Sequence, residues 1–465
     1  MCSCFEVCSP IPALGCVVLL ECARYFPGKN QMPLPILVDS LGPVSGVVPE
    51  QLLFDNSQTA GVIDDPQTYR HGEHSGTWPR QSKPGDHRAS RRRRSPRHLR
   101  QRRVDARGHR ATGAEFAPYV STLPSLVPSP DGAEPEKSWD GDLIDQLTIF
   151  QDDYEAMLPQ LRQIYDDDRP DLFLYDIAGI PARILAQQWN VPIIQLSPTY
   201  VAWDGYEADA APMYDEIRSD PRGVDLLDRE ARFFRAEGVE VDPREFTGRP
   251  PRAIVLIAES MQPNADRVNR DVYTFVGPAL EPSNQPWVNP DPERKLVLIS
   301  LGSAFTDHPD FYRTCVEAFG PMDGWHVVLQ IGKQVQISDL GPLPDNVEIH
   351  RWVSQFAILQ QADAFVTHAG MGGSSEGLVT GTPMIAVPQA VDQFGNADSL
   401  VDAGVAVRVD GATVTAVELR EALTRVSSDE FRRRSAELAK ELAAAGGVSR
   451  AVELIESALP DSGRR

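Results

Sequence analysis

The sequence predicts an α/β protein: two Rossmann-like domains facing across a cleft and joined by a proline-rich linker. Three observations lead there. Residues 171–197 read strand, helix, strand, the text of a βαβ unit. Residues 295–388 repeat that alternation through five apolar runs. Between the two lies "GPALEPSNQPWVNPDPER" (277–294), with five prolines and no periodicity, which reads as a linker.

The chain has 465 residues, enough for two domains with separate cores. Hydrophobic content of 42% and charged content of 24% are those of a globular protein. A formal net charge of −21 argues against a general nucleic-acid binder. The longest N-terminal apolar run, Ile11 to Leu20, is too short to span a bilayer and has no basic residue before it. A cytoplasmic protein without a membrane span or signal peptide is therefore expected. Five of the six cysteines precede residue 23, a clustering that fits neither a disulfide framework nor a zinc site.

Residues 1–103 form a first zone without sustained periodicity. It contains "RASRRRRSPRHLRQRR" (88–103). Such a run reads as a nucleic-acid or targeting patch, as a solvated segment, or as GC-rich coding sequence translated out of frame.

The second zone, 104–276, becomes orderly. "DLFLYDIAG" (171–179) is a buried-strand pattern, "IPARILAQQWN" a helix and "VPIIQLS" another strand. The third zone, 295–465, carries strands in "KLVLISLG", "WHVVLQIG", "VEIHRWV", "DAFVTHA" and "PMIAVP", then amphipathic helices over 415–459. Such sheets bind ligands beyond the carboxyl ends of their strands.

At those ends stands "FVTHAGMGGSSEGLVTGTPMIAVPQAVDQFGNA" (365–397). Gly370, Gly372 and Gly373 would let backbone N–H groups approach an anion at a helix N-terminus. Ser374 and Ser375 would add hydroxyl donors, and His368 a ring donor. A tight βα turn explains the same glycines. Glu376, expected in the first helical turn, suits a ribose diol or simply the helix dipole. Trp352 offers a face to a base or fills a core. Asp392 and Gln393 suit vicinal sugar hydroxyls, or Asp392 caps a helix. Together the row fits base, ribose, phosphate and sugar, which is a nucleotide sugar.

The stretch from Arg351 to Ala397 resembles the donor-binding signature of family 1 UDP-glycosyltransferases, and within them the bacterial macrolide-inactivating glucosyltransferases. "LISLGSAFTDHPDFYRTCVEAFG", "LPDNVEIHRWV", "DVYTFVG" and "YDIAGIPARILA" support the match, which spans about residues 104–460. The resemblance implies a GT-B fold, with an acceptor domain over 104–276 and a donor domain over 295–465. It implies inverting transfer of a hexose, glucose, from UDP to a hydroxyl of a macrolide or similar hydrophobic natural product, and hence antibiotic resistance. Neither metal nor bound cofactor is expected; "DGD" at 140–142 only superficially suggests a metal motif. Carried over by motif, Trp352 stacks on uracil and Val353 meets its edge through the backbone. Gln355 and Glu376 serve the ribose. Ser303, His368, Gly370, Gly372, Gly373 and Ser374 serve the diphosphate, and Asp392 and Gln393 the glucose. Where plant members carry Trp-Asn-Ser, this chain has Met371-Gly372-Gly373, so phosphate contacts there are expected through backbone. A UDP-sugar epimerase of the same architecture fits the signature less well.

The resemblance also implies a general-base histidine after the first N-terminal strand, oriented by an aspartate that matches Asp176. Counting back from "ARGHR" (106–110) puts that base near Arg91, which is not a histidine. His87 and His98 flank the position without a strand before them, and His109 belongs to the segment beyond it. The N-terminal domain is therefore expected to lack its first strand and its base. The alternative function is a nucleotide-sugar-binding protein impaired in catalysis.

Overall fold

The computed structural model describes residues 21–23, 117, 119–124, 141–280, 287–302, 306–390 and 392–459, all within one unit of the chain. Arg91, His87, His98, His109 and Ser303 lie outside the described residues, as do most of residues 1–103.

Five strands build the N-terminal sheet in the order β1 (Glu21–Ala23), β2 (Leu172–Tyr175), β3 (Ile193–Ser197), β4 (Ala253–Val255) and β5 (Tyr273–Phe275). From β2 to β5 every pairing is parallel; β1 pairs antiparallel with β2. Helices α1 (Leu143–Tyr165) and α2 (Ile180–Trp189) cover one face. All four residues of β2 are buried, as a parallel strand covered on both faces requires. Among the described residues, the neighbour of β2 on this side is the antiparallel β1 rather than a parallel strand.

The C-terminal sheet is wholly parallel, in the order β11-β10-β9-β6-β7-β8. Its strands are β6 (Lys295–Ser300), β7 (Trp325–Gln330), β8 (Val347–His350), β9 (Ala364–Thr367), β10 (Met384–Ala386) and β11 (Ala406–Arg408). The chain runs outward from β6 through β7 to β8, then returns to lay β9 against the other side of β6. The order reverses between β6 and β9, which makes their carboxyl ends the switch point where such sheets hold ligands.

The strands expected from sequence are present, each shorter than the apolar run that announced it. β4, β5 and β11, three residues each, are too short to show a period. One boundary shifts in space. The helix Gly447–Glu456, expected within the donor domain at 295–465, packs its apolar face on the N-terminal sheet. There Ala451, Leu454 and Ile455 join Leu172, Leu174, Ile194, Leu196 and Ile254 in one cluster. Gly447 N–H donates to Val276 C=O at 2.9 Å, tying the helix start to the exit of β5. Of the linker, residues 281–286 lie outside the described residues. No helix among the described residues is long and apolar enough to cross a membrane.

Candidate nucleotide-sugar site

The site grows from the carboxyl end of β9. His368 follows the strand, and Ala369 takes a left-handed φ of +59°, a conformation that costs a side-chain-bearing residue about 1–2 kcal/mol. Its N–H donates to Thr367 Oγ1 at 3.2 Å, which helps hold the turn. Gly370 is the N-cap of the next helix, Met371–Thr380. Ser374 N–H donates to Gly370 C=O at 2.9 Å, the first bond of the helix. The N–H groups of Met371, Gly372 and Gly373 therefore have no partner within it and carry the positive end of its dipole.

Two glycines bracket the His368 ring. A β-carbon on Gly302, after β6, would stand 2.7 Å from Cε1, and one on Gly370 would press on Nε2 more closely still. Absent side chains at these positions thus admit the imidazole as well as an anion. Burial pushes the ring's pKa down to about 4, with the Ser300 backbone only partly opposing. Nδ1 is shut off from solvent. At neutral pH the ring is an uncharged donor.

Two expectations change. Glu376 stands sixth in the helix that Gly370 caps, in its second turn rather than the first, where the dipole effect has faded. Burial instead raises its pKa to about 7, and Gln355 Nε2 donates to its Oε2 at 2.7 Å. Gln355 and Glu376, read separately as ribose ligands, are one hydrogen-bonded pair. Ser374 is wholly buried and its hydroxyl has no partner, because the fourth helical position turns inward. That hydroxyl is not presented to a phosphate.

Trp352 is not core: 43% of it is exposed, beyond the end of β8. Val353 is buried, and its N–H donates to Gln330 Oε1 at 3.0 Å. Only its C=O is left for a base edge. Sequence reading passed over Gln330. It ends β7 and is buried, and its Nε2 donates to Gly302 C=O at 3.0 Å and Ser300 Oγ at 3.2 Å. One side chain thereby pins the exits of β6, β7 and β8. The signal available was a lone amide ending the apolar run "WHVVLQ".

Asp392 and Gln393 follow β10. The Asp392 carboxylate makes no helix-capping bond; its Oδ2 accepts from Asn396 Nδ2 at 3.0 Å, and burial raises its pKa. Gln393 Oε1 accepts from Gln389 N–H at 2.8 Å and Ala390 N–H at 3.2 Å, which fixes the carbonyl end of its amide on the loop before the helix.

Across in the N-terminal sheet, Asp176 follows β2. Its Oδ1 accepts from Ala178 N–H at 2.9 Å, and burial raises its pKa to about 7 against the pull of the Ala178 and Gly179 N–H groups. The four described histidines, His308, His326, His350 and His368, all belong to the C-terminal domain. Asp142 of the "DGD" triplet caps α1 and pairs with Arg222 at 2.7 Å. That is a capping role.

Residues 313–456 match the family model described as erythromycin biosynthesis protein CIII-like, C-terminal domain. The chain is 51% identical over 373 residues to the oleandomycin glycosyltransferase of Streptomyces antibioticus, covering 77% of this chain and 86% of that relative. It is 30% identical over 359 residues to an NDP-glycosyltransferase of Bacillus licheniformis, covering 76% and 87% respectively. Among solved structures, the glycosyltransferase of kitacinnamycin superposes with a TM-score of 0.70 at 44% identity, over 76% of this chain and 89% of that one. A calicheamicin glycosyltransferase gives 0.65 at 27% identity, over 77% and 89%.

Proposed function

Because the chain belongs to the family 1 glycosyltransferases related to the macrolide glycosyltransferases, with their GT-B fold, we propose that its donor is UDP-glucose and its acceptor a hydroxyl of a macrolide or similar hydrophobic natural product. One observation carries this reading. Trp352, the Gln355–Glu376 pair, the His368 turn and Asp392 follow β8, β9 and β10 at the carboxyl edge of one sheet, an arrangement that supports a reading as base, ribose, diphosphate and hexose contacts. Trp352 stacks on uracil, whose edge meets the Val353 C=O. Asp392 and the Gln393 NH₂ take hexose hydroxyls.

The transfer is inverting. The acceptor oxygen bonds to the anomeric carbon as the bond to UDP breaks, UDP leaves with the electron pair, and the hydroxyl proton passes to a base. Charge gathering on the leaving diphosphate is met by the N–H groups of Met371, Gly372 and Gly373 and by His368, a fixed donor set that works without a metal ion. The reaction would run in the cytoplasm and inactivate a macrolide antibiotic.

Prolonged incubation with UDP-glucose and oleandomycin, with and without EDTA, tests the proposal. Nuclear magnetic resonance of the product should show a β-glucoside in both cases. An α-glucoside would refute inversion, and loss of product with EDTA would refute metal independence.

A further inference from the structure

We infer that Tyr200 is a positioning residue for donor-sugar recognition, reaching from the N-terminal domain through Asn396 to set the carboxylate of Asp392. Tyr200 Oη donates to Asn396 Oδ1 at 2.6 Å, and Asn396 Nδ2 donates to Asp392 Oδ2 at 3.0 Å. The inference rests on the reading of Asp392 as a hexose ligand.

The two bonds are mutually dependent. An amide has one acceptor end and one donor end, and a carboxylate can only accept. With Nδ2 committed to Asp392, Oδ1 must receive a proton, and the Tyr200 hydroxyl supplies it. That phenol is protonated at neutral pH, and burial raises its pKa further, to about 12. Asn396 is fully buried, and its N–H donates to Asp392 C=O at 2.9 Å, so the amide has little freedom to find another partner. Tyr200 is fixed as firmly. The neighbouring Val201 gives its N–H to Gln262 Oε1 at 2.9 Å and receives Gln262 Nε2 on its C=O at 3.0 Å, both within the N-terminal domain.

Asp392 would orient as described only while the loop after β3 stands against the helix Gln393–Asp402. Sugar recognition is then a property of both domains together, whereas nucleotide recognition belongs to the C-terminal sheet alone.

Calorimetry with UDP and with UDP-glucose tests this on four full-length chains: the parent, Tyr200→Phe, Asp392→Ala and the double variant. Binding does not require turnover, so the test stands whether or not the chain transfers sugar. Tyr200→Phe keeps the ring and removes one hydroxyl. It should weaken UDP-glucose about 3- to 10-fold, the range of one neutral hydrogen bond, and leave UDP unchanged. In the Asp392→Ala background it should change nothing further, because the relay has lost its end point. Unchanged UDP-glucose affinity in Tyr200→Phe, an equal loss of UDP, or a full additional loss in the double variant would each overturn the inference. If Asp392→Ala itself does not separate UDP-glucose from UDP, the hexose reading of Asp392 falls and the relay with it. If Asp392→Ala does separate them and Tyr200→Phe does not, the relay alone is wrong.

Discussion

His368 leaves no room for a side chain at Gly302, where a β-carbon would lie 2.7 Å from its Cε1 atom. Gly302 also holds a φ of +77°. Gly302→Ala should therefore destabilise twice over, by about 1–2 kcal/mol for the left-handed backbone and by about 1–3 kcal/mol for overpacking. Gly238 has a similar φ of +79° and open space around it, so Gly238→Ala should show the backbone cost alone. Denaturant unfolding of the two variants checks the difference. UDP binding should fall in Gly302→Ala and hold in Gly238→Ala.

On the proposed function UDP should bind without added metal, because the groups assigned to the diphosphate are neutral donors at a helix start. His368→Ala should weaken that binding by about 1–3 kcal/mol, the worth of a hydrogen bond to a charged group. Calorimetry in EDTA gives both numbers. Abolition of UDP binding by EDTA in the parent chain would refute metal independence.

Burial raises the pKa of Glu376 to about 7. Between its ordinary value and 7 the folded chain holds a proton that the unfolded chain has released, so this group's contribution to stability falls as pH rises through that window. Glu376→Gln keeps a partner for Gln355 and removes the titration. The variant should gain on the order of 1–3 kcal/mol over the parent at pH 8 and much less at pH 4.5. Melting curves at the two pH values decide it; an equal difference at both would mean that Glu376 does not titrate there. A ribose contact through Glu376 would appear in the same variant as weaker UDP binding.

The chain should transfer glucose slowly. General-base catalysis contributes a factor of about 10² to 10⁴. Asp176 has no described histidine in its own domain to orient, and the strand beside β2 runs antiparallel. Replacing residues 1–103 with a parallel strand, a histidine-bearing turn and a helix should raise turnover by about that factor. Rapid turnover by the present chain, abolished by His87→Ala or His98→Ala, would show that the first zone supplies its own base.

The α/β class and the row of strand exits were legible because each rests on local pattern. Apolar runs mark β6 to β10, and a helix start after a strand predicts where His368 and Gly370 fall. The exposed face of Trp352 was legible in position but not in exposure, since one tryptophan after a strand fits a core equally well. What pairs distant residues was not legible. Tyr200 and Asn396 are 196 positions apart, and no periodicity links them. The inward turn of Ser374 was hidden too, because its orientation depends on where the helix begins, and Gly370 starts it directly.

The helix Gly447–Glu456 covers an apolar face built from β2, β3 and β4, strands made long before it. Domains generally fold in order of synthesis, N-terminal first. Here the N-terminal sheet cannot finish its core that way. Leu172, Leu174, Ile194, Leu196 and Ile254 keep an uncovered apolar face until Gly447–Glu456 leaves the ribosome. During that interval the nascent chain presents the kind of surface that chaperones bind and that drives aggregation. A premature stop anywhere before Gly447 would leave that surface permanently bare, even on a chain whose donor site was already complete.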